Sequence, residues 1–146
     1  MASFLENMVW QRAGRTCEYC RMPQEYDELP FEIDHIIARK HGGSSDARNL
    51  ALACFACNHH KGPNIAGLDP RTGRLTRLFH PRRHKWDRHF RWEGSRLAGR
   101  TPIGRATIRV LEINLPHRIA LRQALIEERL FPPTSASRLS PRNRSN

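Results

Sequence analysis

Cys17-Glu-Tyr-Cys20 and Cys54-Phe-Ala-Cys57 bracket the stretch that decides how this 146-residue chain folds. Between them stand Asp34-His35-Ile36, His41-Gly42-Gly43 and Asn49-Leu50, and directly after them Asn58-His59-His60-Lys61-Gly62. All four cysteines of the chain lie in these two Cys-x2-Cys knuckles. A knuckle lets two thiolates reach one ion while the intervening amides donate toward the sulfurs. Two of them match a closed, tetrahedral structural zinc site held by Cys17, Cys20, Cys54 and Cys57. Four free thiols or an iron–sulfur cluster are the other readings. A redox dithiol has less support, because no βαβ pattern surrounds either pair.

Working outward, Leu29 to Ile36 alternates in part and reads as a strand. Asn49 to Ala53 reads as a second strand entering the second knuckle. A short helix begins near Cys57 and stops by Gly62-Pro63. Upstream, Ser3-Phe4-Leu5-Glu6 has the form of a capping box, so a helix over 4–13 is expected, with Gly14 just past its end.

In this order and spacing, Cys17…Cys20, Asp34-His35-Ile36, Gly42-Gly43, Asn49-Leu50, Cys54…Cys57-Asn58 and Lys61-Gly62 resemble the HNH endonuclease family in its four-cysteine form. The resemblance covers roughly residues 4–63. It implies an α+β fold with a small ββα-metal core, and a role for each motif residue. Asp34 is then a ligand of a catalytic metal and His35 the general base that activates water. Asn49 holds the loop carrying the base by hydrogen bonds to backbone. Asn58 supplies the second protein ligand, with His59 or His60 as the alternative.

A phosphodiester is cut by an activated water in line with the leaving oxygen, with positive charge on the leaving side. Neutral imidazole is suited to take the water's proton near physiological pH. Oxygen donors at Asp34 and Asn58, with Gly62 one helical turn on, suit Mg²⁺ or Mn²⁺ better than a second zinc. Neighbouring strand residues point to opposite faces, so Asp34 and His35 diverge unless the strand ends or bulges there.

Charge separates the chain into two parts. Residues 1–62 hold seven Lys/Arg against eight Asp/Glu, and residues 63–146 eighteen against six. The net charge is +11, and arginine dominates the basic set. Arginine grips phosphate with two donors at once, so the expected partner is nucleic acid, DNA first. Lys61, Arg74, Arg77, Arg82, Arg83, Lys85, Arg88 and Arg91 are the expected phosphate contacts. Phe79, Trp86, Phe90 and Trp92, interleaved with them, read mainly as a small second core.

Past Pro63, Leu68 to Gly73 contains a turn. Phe90–Trp92 and Leu97–Gly99 flank Glu93-Gly94 as a hairpin. Helices are expected from Thr101-Pro102 and over Pro116–Leu130. The chain thus divides into a core over 1–63, a basic extension over 64–131 packed on it, and a disordered tail over 132–146. No apolar run approaches the roughly 20 residues of a membrane span, and the N-terminus lacks the charge and apolar pattern of a signal peptide. The expectation is a cytoplasmic protein, monomeric or homodimeric, with no membrane partner. Besides a metal-dependent DNA endonuclease, two readings fit part of the pattern. A zinc-stapled nucleic-acid-binding module would need the cysteines and arginines alone. A domain binding an acidic protein would need only the arginines.

Overall fold

The computed structural model describes residues 3–133 and is a mixed α+β fold. Helix α1 spans Phe4–Arg12. The Ser3 hydroxyl accepts from the Glu6 amide and the Glu6 carboxylate accepts from the Ser3 amide, both at 3.0 Å, so the expected capping box forms. Arg12 in its last turn donates to the carbonyls of Ala47 and Leu50, which fixes α1 to the segment entering the next sheet.

Strand β1 (Glu32–His35) pairs antiparallel with β2 (Leu50–Ala53), in the register Glu32 with Ala53 and His35 with Leu50. The first strand is shorter than expected, because Leu29 and Pro30 stay outside the ladder and Leu29 is exposed. Helix α2 (Phe55–Lys61) starts two residues earlier than the expected Cys57. Cys54 is its N-cap, the sulfur accepting from the Cys57 amide at 3.3 Å. Gly62 ends it with a positive φ of 51°. Strand, loop, strand, helix is therefore the local order.

The extension adds two hairpins and three helices. The turn around Asp69 closes a hairpin of β3 (Ala66–Leu68) and β4 (Leu75–Arg77), where the sequence signals a turn alone. A short helix α3 (Trp86–His89) leads into the hairpin β5 (Phe90–Glu93) and β6 (Arg96–Gly99). Helix α4 (Pro102–Val110) has Pro at its start and Thr101 as N-cap. Helix α5 (Pro116–Glu127) stops three residues short of the expected Leu130, and Arg129 has a positive φ of 62°. Most of the stretch expected to be a disordered tail, residues 134–146, lies outside the described residues.

One buried cluster joins both parts of the chain. Val9, Tyr19, Met22 and Leu52 pack with Phe79, Phe90, Leu111 and Ile113. The Trp86 indole donates to the Tyr19 carbonyl at 2.9 Å, and Phe79 sits edge-on to Tyr19. The aromatics of the basic stretch are thus core: Phe79, Trp86 and Phe90 are buried and Trp92 packs against them. Some arginines are internal as well. Arg122 is fully buried and donates to the Ser95 and Ile113 carbonyls and to Asn114. Among the described residues no helix is long and apolar enough to cross a membrane.

Candidate nuclease site and metal staple

The four knuckle sulfurs lie within 4.8 Å of one another and all four cysteines are buried. Backbone amides converge on them as knuckle geometry requires. Tyr19 and Cys20 donate to Cys17 at 3.4 Å, and Cys57 donates to Cys54. Hydrogen bonds from neighbouring thiols push Cys20 well below the ordinary thiol range, while Cys54 and Cys57 are pushed well above it. Four sulfurs this close cannot all ionise unaided, so the set suits a dication that would replace the protons they keep. The sequence carries no signal for what lies above the staple. Arg118 of α5 comes within 3.7 Å of the Cys54 sulfur while gripping the Asp27 carboxylate with both terminal nitrogens.

The second centre grows from the end of β1. Asp34 and His35 part company there as strand geometry demands. Asp34 turns into the core, while His35, the last strand residue, stays partly exposed. The His35 Nε2 lies 3.0 Å from the Ser45 hydroxyl, so the loop between β1 and β2 touches the imidazole directly. Asn49 ties that loop down. Its Oδ1 accepts from the Ile37 amide, and its Nδ2 donates to the Ile37 and Ser44 carbonyls at 3.0 and 2.7 Å. Gly43 lets the turns close: a Cβ there would lie 1.8 Å from the Ile37 oxygen and 2.8 Å from the Asn49 Nδ2.

Beneath His35 is a buried polar relay. Lys61 is 1% exposed, and its three ammonium protons go to Asp34 Oδ1 (3.2 Å), the His35 carbonyl (3.2 Å) and the Ile36 carbonyl (3.0 Å). The other Asp34 oxygen accepts from the Tyr19 hydroxyl at 2.6 Å. Burial pushes the Asp34 carboxyl above the usual carboxylate range, against the opposing pull of Lys61 and Tyr19. The expectation that Lys61 contacts phosphate is therefore corrected. A lysine with no solvent access and three internal acceptors cannot meet a backbone phosphate. Tyr19, between the cysteines of the first knuckle, is the further partner that sequence alone does not point to.

Asp34, His35, Ala38, Arg39, Asn58 and Gly62 share one open depression of about 330 Å³. Asn58 donates its Nδ2 to Glu32 at 2.7 Å, which leaves its Oδ1 as the available ligand atom. His59 and His60 do not line this depression. His59 stacks on Phe55, and His60 pairs with Glu112 of the extension at 3.2 Å. Each Asp34 oxygen already accepts one hydrogen bond and keeps a second lone pair. Asn58 Oδ1 and the Asp34 carboxylate are oxygen donors of the type a hard dication takes, but the Asp34 carboxylate is buried against Lys61 and Tyr19, so an ion would have to draw it out of that pair.

The other expected phosphate contacts are scattered. Arg74, Arg77, Arg83, Lys85, Arg88 and Arg91 are exposed, and Arg91 pairs with Glu93. Arg82 is partly buried and ion-paired with Glu18 of the first knuckle. A different open pocket, of about 600 Å³, is lined by Gly43, Arg48, Asn49, His80, Arg82 and Arg83 among others.

Residues 17–64 match the family model of the HNH endonuclease. The match begins at the first knuckle, takes in the Asp34–Asn58 depression, and ends at the first residue of the basic extension. No curated protein and no solved structure matches the chain.

Proposed function

We propose that this chain, whose residues 17–64 carry the HNH endonuclease pattern, is a metal-dependent endonuclease that hydrolyses DNA phosphodiester bonds. The observation that supports it most is the shared depression. His35 and Asn58 line one open depression at the end of β1, with the Asp34 carboxylate turned inward onto Lys61 and Tyr19, and Asn49 holds the adjoining loop with three hydrogen bonds.

In this reading His35 takes the proton of a water aligned with the scissile P–O bond. The water oxygen bonds to phosphorus, and the 3′-oxygen departs and is protonated from solvent. Ser45 steadies the imidazole through Nε2, and Asn49 keeps Ser44 and Ile37 where they hold that loop. Lys61 fixes the backbone of His35 and Ile36 from below. Asn58 Oδ1 and Asp34 would hold a Mg²⁺ or Mn²⁺ ion, which when bound stabilises charge on the leaving oxygen and the phosphate. Cys17, Cys20, Cys54 and Cys57 would hold zinc with a purely structural role. Reduced thiols kept for a metal suit a cytoplasmic setting.

The test is cleavage of supercoiled plasmid by the purified chain, with Mg²⁺, Mn²⁺ or chelator present. The expected result is metal-dependent nicking or cutting that His35→Ala abolishes while the fold persists. DNA binding without cleavage under every divalent metal would favour a zinc-stapled binding module instead.

A further inference from the structure

We propose that the pocket between the β1–β2 loop and the His80–Arg83 turn is a phosphate-binding site for the DNA strand beside the scissile bond. It deepens the nuclease reading and rests on it for the identity of the polyanion.

The loop from Ile37 to Asn49 borders both concavities: Ala38 and Arg39 line the depression, and Gly43 and Asn49 line the pocket. A strand seated at His35 therefore has this pocket as a neighbour. At about 600 Å³ it has room for a nucleotide unit. Its wall is cationic, with Arg48 and Arg83 exposed and Arg82 behind them. Asp46 is the acidic residue of the lining and pairs with Arg48 at 3.4 Å in an exposed contact.

Arg82 is the arginine of the lining that the fold holds in place. Its terminal nitrogen reaches Glu18, yet its Nε is buried and has no acceptor among the described residues. Glu18 is itself shared, since it also accepts from the Leu52 amide. Burial first, and then the nearby Arg12, lower the Arg82 guanidinium to about 10.

His80 lines the pocket as a nearly buried imidazole. Its Nδ1 accepts from the Arg82 amide at 3.2 Å, so the ring proton sits on Nε2. Burial lowers this imidazole to about 4, so it stays uncharged at neutral pH. The forked guanidinium donors of the exposed Arg48 and Arg83 suit the two free oxygens of a phosphodiester.

The experiment measures binding apart from cutting. In a His35→Ala background, the affinity of the full chain for a short fluorescent DNA duplex is read by anisotropy over a range of KCl. Removing one arginine–phosphate contact weakens binding about tenfold near 0.1 M salt and lowers the salt slope by about one. Arg48→Ala/Arg83→Ala should therefore weaken binding about a hundredfold and cut the slope by about two. The control is Arg96→Ala/Arg109→Ala, which removes the same charge from exposed sites outside the pocket and should change binding far less. Equal weakening by the two pairs, or none by the first, overturns the proposal. Competition by polyglutamate as effective as by DNA of equal charge also overturns it. A wild type that binds DNA through this pocket and never cuts would leave the pocket standing and remove the nuclease reading.

Discussion

The Nζ of Lys61 lies 3.2 Å from the Oδ1 of Asp34, with both side chains closed off from solvent. A buried pair of this kind is vulnerable to loss of one partner, because the other charge stays behind in low dielectric. Lys61→Met should destabilise the fold by about 3–5 kcal/mol. Lys61→Met/Asp34→Asn should recover a large part of that. Urea unfolding of the wild type, both single variants and the double variant checks it. Strictly additive effects would mean that the two groups do not act as a unit.

His35→Ala removes the proposed base and little else, since His35 is partly exposed and its side-chain partner is the Ser45 hydroxyl. Cleavage should fall by about 10²–10⁴-fold or more, with the thermal midpoint close to wild type. Single-turnover kinetics on a supercoiled plasmid, with circular dichroism in parallel, measure both.

Gly43→Ala is expected to be as damaging as a change in the base, though Gly43 carries no chemistry. The added carbon would sit 1.8 Å from the Ile37 carbonyl, so the loop held by Asn49 must move. Loss of cleavage with zinc retained is the expected pattern, read by activity and by metal analysis of the same sample.

Arg118 reaches the Cys54 sulfur and caps the staple with positive charge. Groups that touch a metal's ligands tune its affinity by about 10–100-fold. Arg118→Leu/Asp27→Asn, which avoids stranding the aspartate, should lose zinc to a chromogenic chelator faster by a factor in that range. Release at the wild-type rate would confine the arginine's role to its pair with Asp27.

Acid should weaken the fold through the histidines of the extension. Burial lowers His80 to about 4 and also lowers His84 and His89. The unfolded chain takes up these protons first, so stability present above the ordinary histidine value of about 6.5 is lost as the pH falls toward 4. The thermal midpoint should drop between about pH 7 and 4.5, and His80→Gln should flatten that drop. An unchanged profile in His80→Gln would assign the acid sensitivity elsewhere.

The local pattern makes the ββα order and the staple legible. The two knuckles and the Asp-His of the first strand are sequence-local signals that fall at their expected places, whereas Asn49, expected to open the second strand, ends the turn just before Leu50. What cannot be read depends on contacts across the chain. Lys61 looks like a surface lysine beside two histidines until Asp34 and the carbonyls of His35 and Ile36 take up its ammonium in the interior. His60 looks like a candidate ligand until Glu112 of the extension meets it. Arg118 is one arginine among many until α5 packs against the knuckles. The β3–β4 hairpin is hidden because its strands are three residues each and carry exposed leucines at Leu68 and Leu75.

The contact between Arg118 and Asp27 joins residues 91 positions apart. A chain made from its N-terminus at about 5–20 residues per second presents the four cysteines, His35 and Asn58 well before α5 exists. Metal can enter the knuckles early, while the cap that guards them arrives with almost the last helix. The cysteine staple is thus assembled first and sealed late, so the order of synthesis itself delays its finished form until most of the chain has been made.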